Sequence, residues 1–169
     1  MSNKIIILSI FIAASILISG CITDKNNGTK VNETKNNSDI IPTINLPSGF
    51  TNIAVHDTII NFNNFSKKAR EGIYRTEKGG DIYVQVFETE KPEELLEEYK
   101  AQYKDAGYDP FTEINFNGHK ATKIMYYFTS NGKSVPKYYV IWTINDSMIL
   151  VGSSTDANEV VNLATATNH

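Results

Sequence analysis

The stretch 111–154, FTEINFNGHKATKIMYYFTSNGKSVPKYYVIWTINDSMILVGSS, decides the fold. Its β-branched and aromatic runs are punctuated by Asn117-Gly118, Asn131-Gly132 and Asn145-Asp146. Asn-Gly is the strongest short hairpin signal, because both central residues of a type I′ turn need positive φ, which Asn and Gly tolerate. Four consecutive antiparallel strands follow from this spacing. With two-residue turns the register is set by counting: Phe116 opposes His119, Ile114 opposes Ala121, Met125 opposes Tyr138, Ala121 opposes Trp142, and Trp142 opposes Ile149.

Because side chains alternate along a strand, the count also sorts residues onto faces. One face collects Ile114, Phe116, Ala121, Met125, Val140, Trp142, Ile144, Ile149 and Val151, interrupted by His119 and Lys123, and reads as a core. The other mixes Ile124, Tyr126, Tyr139, Ile141, Met148 and Leu150 with Glu113, Lys120, Thr122 and Thr143. That face is too apolar to stand bare in water. Pro136 cannot donate to a ladder, so its strand is expected to begin at Lys137 or to contain a bulge.

Helices supply the cover. In KPEELLEEYKAQYKDAG, Pro92 suits a first helical position, Glu93 and Glu94 the first turn, Lys100 and Lys104 the later turns, and Gly107 a stop. Leu95, Leu96, Tyr99, Tyr103 and Ala106 fall on one stripe at helical spacing. A second, shorter helix is predicted from Asp156, whose spacing to Glu159 fits a capping box, and it offers Val160, Val161, Leu163 and Ala164 for burial. Upstream, EGIYRTE and DIYVQVFETE flank Lys78-Gly79-Gly80 as another hairpin, preceded by FTNIAV as a strand, while NNFSKKARE is too polar to place. The fold class is α+β: an antiparallel β-sheet flanked by helices, three layers deep, over residues 42–169.

The amino-terminal part reads differently. Ile5 to Ile18 is an apolar run after Lys4, of a length that suits a secretory leader better than a full membrane span. Ile18-Ser19-Gly20-Cys21 then resembles the lipobox of secreted lipoproteins. That resemblance implies cleavage after Gly20, residues 1–20 being a signal peptide, and diacylglyceryl attachment to Cys21. Two acyl chains, at roughly 0.8 kcal/mol per buried methylene, hold a protein at a bilayer where one does not. The alternative is an uncleaved helix, since Ile5 to Ile22 approaches the minimum that spans. Both place the domain on the outer face of the cytoplasmic membrane. Residues 21–41 are rich in Asn, Thr, Lys and Asp and read as a disordered tether with a reach of about 25 Å. Asn27, Asn32 and Asn36 sit in sequons within it, with further sequons at Asn64 and Asn145, and are candidate glycosylation sites.

The order strand, strand, strand, helix, meander, helix, with Pro47, Gly49 and Phe50 at its start and INFNGHKATKI after the helix, resembles the PsbP-like α/β/α sandwiches. Secreted lipoproteins of prokaryotes, archaea among them, carry such domains. The resemblance covers roughly 42–169 and implies an accessory or binding module without naming its partner.

Motifs of catalysis are sparse. The single cysteine is assigned to lipid and excludes an intramolecular disulfide. No Gly-x-Ser-x-Gly elbow occurs, and Gly152-Ser153-Ser154 lacks that spacing. The three histidines, His56, His119 and His169, have no ligand spacing, and no cofactor or metal is expected. A net charge of −3 without a basic patch argues against nucleic acid. Tyr126, Tyr127, Phe128, Tyr138 and Tyr139 instead gather on one hairpin, and Tyr126, Tyr127, Tyr139 and Lys137 form the candidate surface for a protein or cell-envelope polysaccharide. The plainer reading of these rings is β-propensity, with burial under helices. The sequence therefore predicts a lipid-anchored, non-catalytic binding domain. Its rivals are a metal-dependent or hydrolytic envelope enzyme using His56, Asp57 or His119, and a purely structural envelope protein.

Overall fold

The computed structural model describes residues 40–63 and 65–167. Cys21 and the sequons at Asn27, Asn32 and Asn36 lie outside them. The elements are β1 (Phe50–Asn61), β2 (Ser66–Thr76), β3 (Asp81–Glu88), α1 (Pro92–Lys100), β4 (Phe111–Phe116), β5 (His119–Ser130), β6 (Lys133–Ile144), β7 (Ser147–Ser154) and α2 (Ala157–Thr165). One antiparallel sheet holds all seven strands in the order β1-β2-β3-β7-β6-β5-β4.

The marked turns close as their chemistry dictates. Asn117 and Gly118 have φ of 49° and 81°, and Asn131 and Gly132 have 50° and 73°. Register follows: Phe116 faces His119, Met125 faces Tyr138 and Trp142 faces Ile149. What no local turn specifies is the join between the two halves of the sheet. The chain leaves β3, passes through α1 to the far edge, and returns by the β4–β7 meander so that β7 pairs with β3, Gln85 against Leu150.

Alternation along the strands builds two cores, one per face. Val84, Val140, Trp142, Ile149 and Val151 pack with Val160, Leu163 and Ala164 of α2. Phe87, Ile124, Ile141, Met148 and Leu150 pack with Leu95 and Tyr99 of α1. Each helix covers one face, α1 the mixed one and α2 the one that carries Trp142 and Val151. Trp142 is 1% exposed and stands edge-on to Phe116 at 5.0 Å.

Several local expectations are corrected. The α-helical part of α1 stops at Lys100 and tightens into a 3₁₀ turn over Ala101–Tyr103, so Gly107 lies beyond the stop. At α2, Asp156 accepts from the Asn158 backbone N–H at 2.9 Å, but Glu159 accepts from Ser154 Oγ and pairs with Lys78, so no reciprocal capping box forms. β6 runs straight through Pro136. Antiparallel pairs alternate between bonded and non-bonded, starting bonded at the turn-flanking Ser130–Lys133, which makes Tyr127–Pro136 a non-bonded pair. The missing N–H therefore faces outward, where β6 has no second neighbour before Tyr138. The irregularity lies further on, where Ser153 bulges between the Tyr138–Ser154 and Tyr139–Gly152 pairs.

β1 runs well past FTNIAV, and NNFSKKARE, unplaced by its polarity, supplies the first half of β2. The folded part also takes in two residues assigned to the tether. Ile40 and Ile41 are 5% and 4% exposed within the α2-side core, and the Tyr74 hydroxyl donates to the Pro42 carbonyl at 2.8 Å.

Candidate binding surface

The aromatic hairpin is divided by the pleat. Tyr126, Tyr139 and Lys137 share the α1 face, whereas Tyr127 points to the opposite face, one residue out of step. On the α1 face the rings hold one another. Tyr126 stacks on Tyr139 with centroids 5.8 Å apart and planes 18° from parallel, and Tyr103 from the 3₁₀ turn packs on Tyr126 at 5.7 Å. Gly152 makes this possible, since a Cβ there would collide with the Cδ1–Cε1 edge of the Tyr139 ring. The Tyr99 and Tyr103 hydroxyls lie 3.1 Å apart. Burial raises the phenol pKa of Tyr139, with the Tyr126 hydrogen bond acting in the same direction. Burial likewise pushes Tyr99 and Tyr103 up, so this network stays protonated and hydrogen-bonding across the neutral range.

Lys137 lies beside the cluster. Its ammonium sits 4.8 Å over the Phe128 ring and donates to Ser153 Oγ at 3.3 Å. The stem thus covers apolar surface while the charge remains at the rim.

Tyr127 is the ring presented to solvent, at 50% exposure, and it has a partner that sequence reasoning missed. Tyr108, 38% exposed, meets it at 5.7 Å and 73°. The contact is fixed by the backbone: the outward Tyr127 N–H donates to the Tyr108 hydroxyl at 3.2 Å, one step beyond Met125 N–H donating to the Pro110 carbonyl at 2.9 Å. Tyr108 follows Gly107 in a loop, outside any periodic run, which left no signal to assign it. Tyr108 and Tyr127 form the exposed aromatic pair, and Tyr126 and Tyr139, half-buried, form the root on the other face.

The candidate ligands and bases are not brought together. His56 and Asp57 are neighbours on β1 and turn to opposite faces: His56 Nε2 lies 3.5 Å from Glu71, and Asp57 accepts from Arg70 at 2.8 Å. His119 stands at the other side of the sheet on β5, 6.5 Å edge-on to Phe116. Among the described residues no group of three or more His, Cys, Asp or Glu converges on one point. A second polar feature the sequence did not announce is Glu71, 7% exposed, whose carboxylate also accepts from the Gln85 amide of the next strand. Beyond Asp57, on the α2 side, an open groove of about 600 Å³ runs over Ile59, Lys68, Arg70 and Val86.

Among the described residues the chain is an α+β protein built on one antiparallel sheet with two α-helices. Compared with known protein families, curated proteins and solved structures, it matches none.

Proposed function

We propose that this chain is a lipid-anchored, extracytoplasmic binding domain of PsbP-like type, held at the membrane through Cys21 and acting by capture rather than catalysis. The supporting observation is the Tyr108–Tyr127 pair. Two phenol rings are presented to solvent, locked to each other by a backbone hydrogen bond, on a hairpin whose root is stabilised by Tyr103, Tyr126 and Tyr139. Rigid, amphipathic aromatic surface of this kind loses little entropy on contact and suits a protein or cell-envelope partner.

The test uses the full chain carrying Cys21→Ser, mixed with washed envelopes of the source cells, with retention scored as crosslinks formed by the folded domain, because the apolar leader partitions into bilayers by itself. Tyr127→Ala and Tyr108→Ala should lower retention at least about tenfold, the usual cost of losing a binding aromatic, while circular dichroism stays unchanged. Retention equal to the parent removes this surface from the reading, and no retention by the parent leaves a structural envelope role. Lipidation is checked separately by the mass of the native protein. An unmodified Cys21 still joined to residues 1–20 ends the lipoprotein assignment.

A further inference from the structure

Carboxylates are distributed unevenly along this chain. All 19 Asp and Glu lie outside residues 114–145, a run that contains four lysines and His119. β5 and β6 occupy that run, which makes their hairpin an acid-free, cationic ribbon in a protein of net charge −3. At its root the carboxylate of Asp109 is engaged by the Phe111 N–H at 3.0 Å.

The ribbon also stands clear of the rest of the sheet. Pairing with β4 ends at Phe111–Ile124 and pairing with β7 ends at Ser154–Tyr138. Met125–Ser130 then carry the Asn131-Gly132 turn about 20 Å further at the usual rise per residue. Neither outer edge of this arm invites another strand, because the Met125 and Tyr127 N–H groups are taken by Pro110 and Tyr108, and Pro136 has none to give. The exposed end presents Tyr127 and Lys133, with Lys137 laid over Phe128 just behind.

Phenol rings with lysines whose stems lie on apolar surface are the chemistry of the bilayer–water interface. The ring replaces interfacial water while its hydroxyl stays wet, and the ammonium groups meet headgroup phosphates. We propose that the β5–β6 hairpin docks tip first on a bilayer rich in anionic headgroups, with Tyr127 at the interface and Lys133 and Lys137 against the phosphates. This rests on the binding reading above and names the partner of the same surface.

The experiment places an environment-sensitive fluorophore on Thr129→Cys in the full chain, with Cys21→Ser keeping the label unique. Vesicles of phosphatidylcholine alone are compared with vesicles holding about one third phosphatidylglycerol. The leader with its Lys4 is common to parent and variants, so the label at 129 and the lysine variants isolate the hairpin. A blue shift on the anionic vesicles alone is expected, reversed near 1 M salt, where the screening length falls to about 3 Å. Lys133→Gln, at an exposed turn position that no fold contact requires, should weaken the apparent partitioning about fivefold, and Lys133→Gln with Lys137→Gln roughly 25-fold. Equal emission on the two vesicles, or variants indistinguishable from the parent, overturns the proposal. A shift produced equally by soluble dextran sulfate assigns the hairpin to a polymer and also overturns it. Envelope retention that persists while vesicles give no response leaves the binding reading standing without the bilayer, whereas loss of both removes the surface altogether.

Discussion

The two long hairpins of this sheet, β1–β2 and β5–β6, are alike in length and opposite in fate. At the β1–β2 turn Phe62 and Phe65 pack at 4.5 Å with planes tilted by 34°, and Phe62 meets Phe87 and Tyr99, each at 5.6 Å, so the tip is fastened to the α1-side core. The β5–β6 hairpin is fastened at its root by Tyr103, Tyr126 and Tyr139 and on its other face by Tyr127 against Tyr108, and among the described residues no ring pair ties the turn beyond Tyr127 to the body. Where the aromatic anchor falls along a ribbon, more than the strength of its ladder, decides whether the ribbon belongs to the core or extends from it.

The comparison can be broken most forcefully at Phe87, 1% exposed beneath the β1–β2 tip. Phe87→Ala should cost about 4 kcal/mol by urea unfolding. The loss should appear first as faster hydrogen exchange across 58–68, and uniform acceleration would show that the tip was never separately pinned. Gly152→Ala attacks the other anchor, forcing Tyr139 off its seat, with an expected cost of about 2 to 3 kcal/mol and loosening of Tyr126 seen by NMR.

A smaller effect belongs to Asp156, which joins α2 to the β2–β3 turn through Lys78 at 2.9 Å. Asp156→Ala should cost about 1 kcal/mol through the lost cap. Asp156→Asn keeps a capping oxygen and removes the charge. The Lys78 hydrogen bond lowers the Asp156 pKa below its usual carboxylate value. Its contribution is therefore present above the unfolded-state pKa and is lost as pH falls through the folded one. A melting-temperature profile should converge for parent and Asn variant on the acid side and separate slightly near neutrality. The smallest change in stability is expected on the projecting hairpin, where Tyr127→Ala removes an exposed ring but keeps its backbone N–H on Tyr108, and should shift unfolding by no more than about 0.5 kcal/mol. A larger shift would mean that Tyr127 is structural.

The contrast between hairpins also marks what the sequence discloses. The meander was legible because Asn-Gly turns and period-two alternation are local signals, and once Asn117 and Asn131 fix the turns, Trp142 and Ile149 can be paired by counting. The outer half of β2 was not legible. SKKARE exposes Ser66, Lys67, Lys68 and Arg70 along an outlying pair of strands and buries a charged Glu71, so its extended form is imposed by neighbours and leaves no apolar alternation of its own. The β3–β7 join was hidden for the same reason, since it depends on both cores closing at once. At the binding surface, proximity of the tyrosines could be read, but the pleat sends Tyr126 and Tyr127 to opposite sides, and only tertiary packing makes one a strut and the other a contact. Tyr108 needed the folded loop to bring it alongside.

The buried Ile40–Ile41 pair and the Tyr74 hydroxyl on the Pro42 carbonyl have a mechanical consequence. Tension arriving along the chain from upstream is taken by that clasp before it reaches β1. It must extract two isoleucines and break one hydrogen bond while the seven-stranded ladder stays in register. A single-molecule pull at the amino terminus should therefore give a small early yield ahead of the main rupture, and Tyr74→Phe should lower that first step alone.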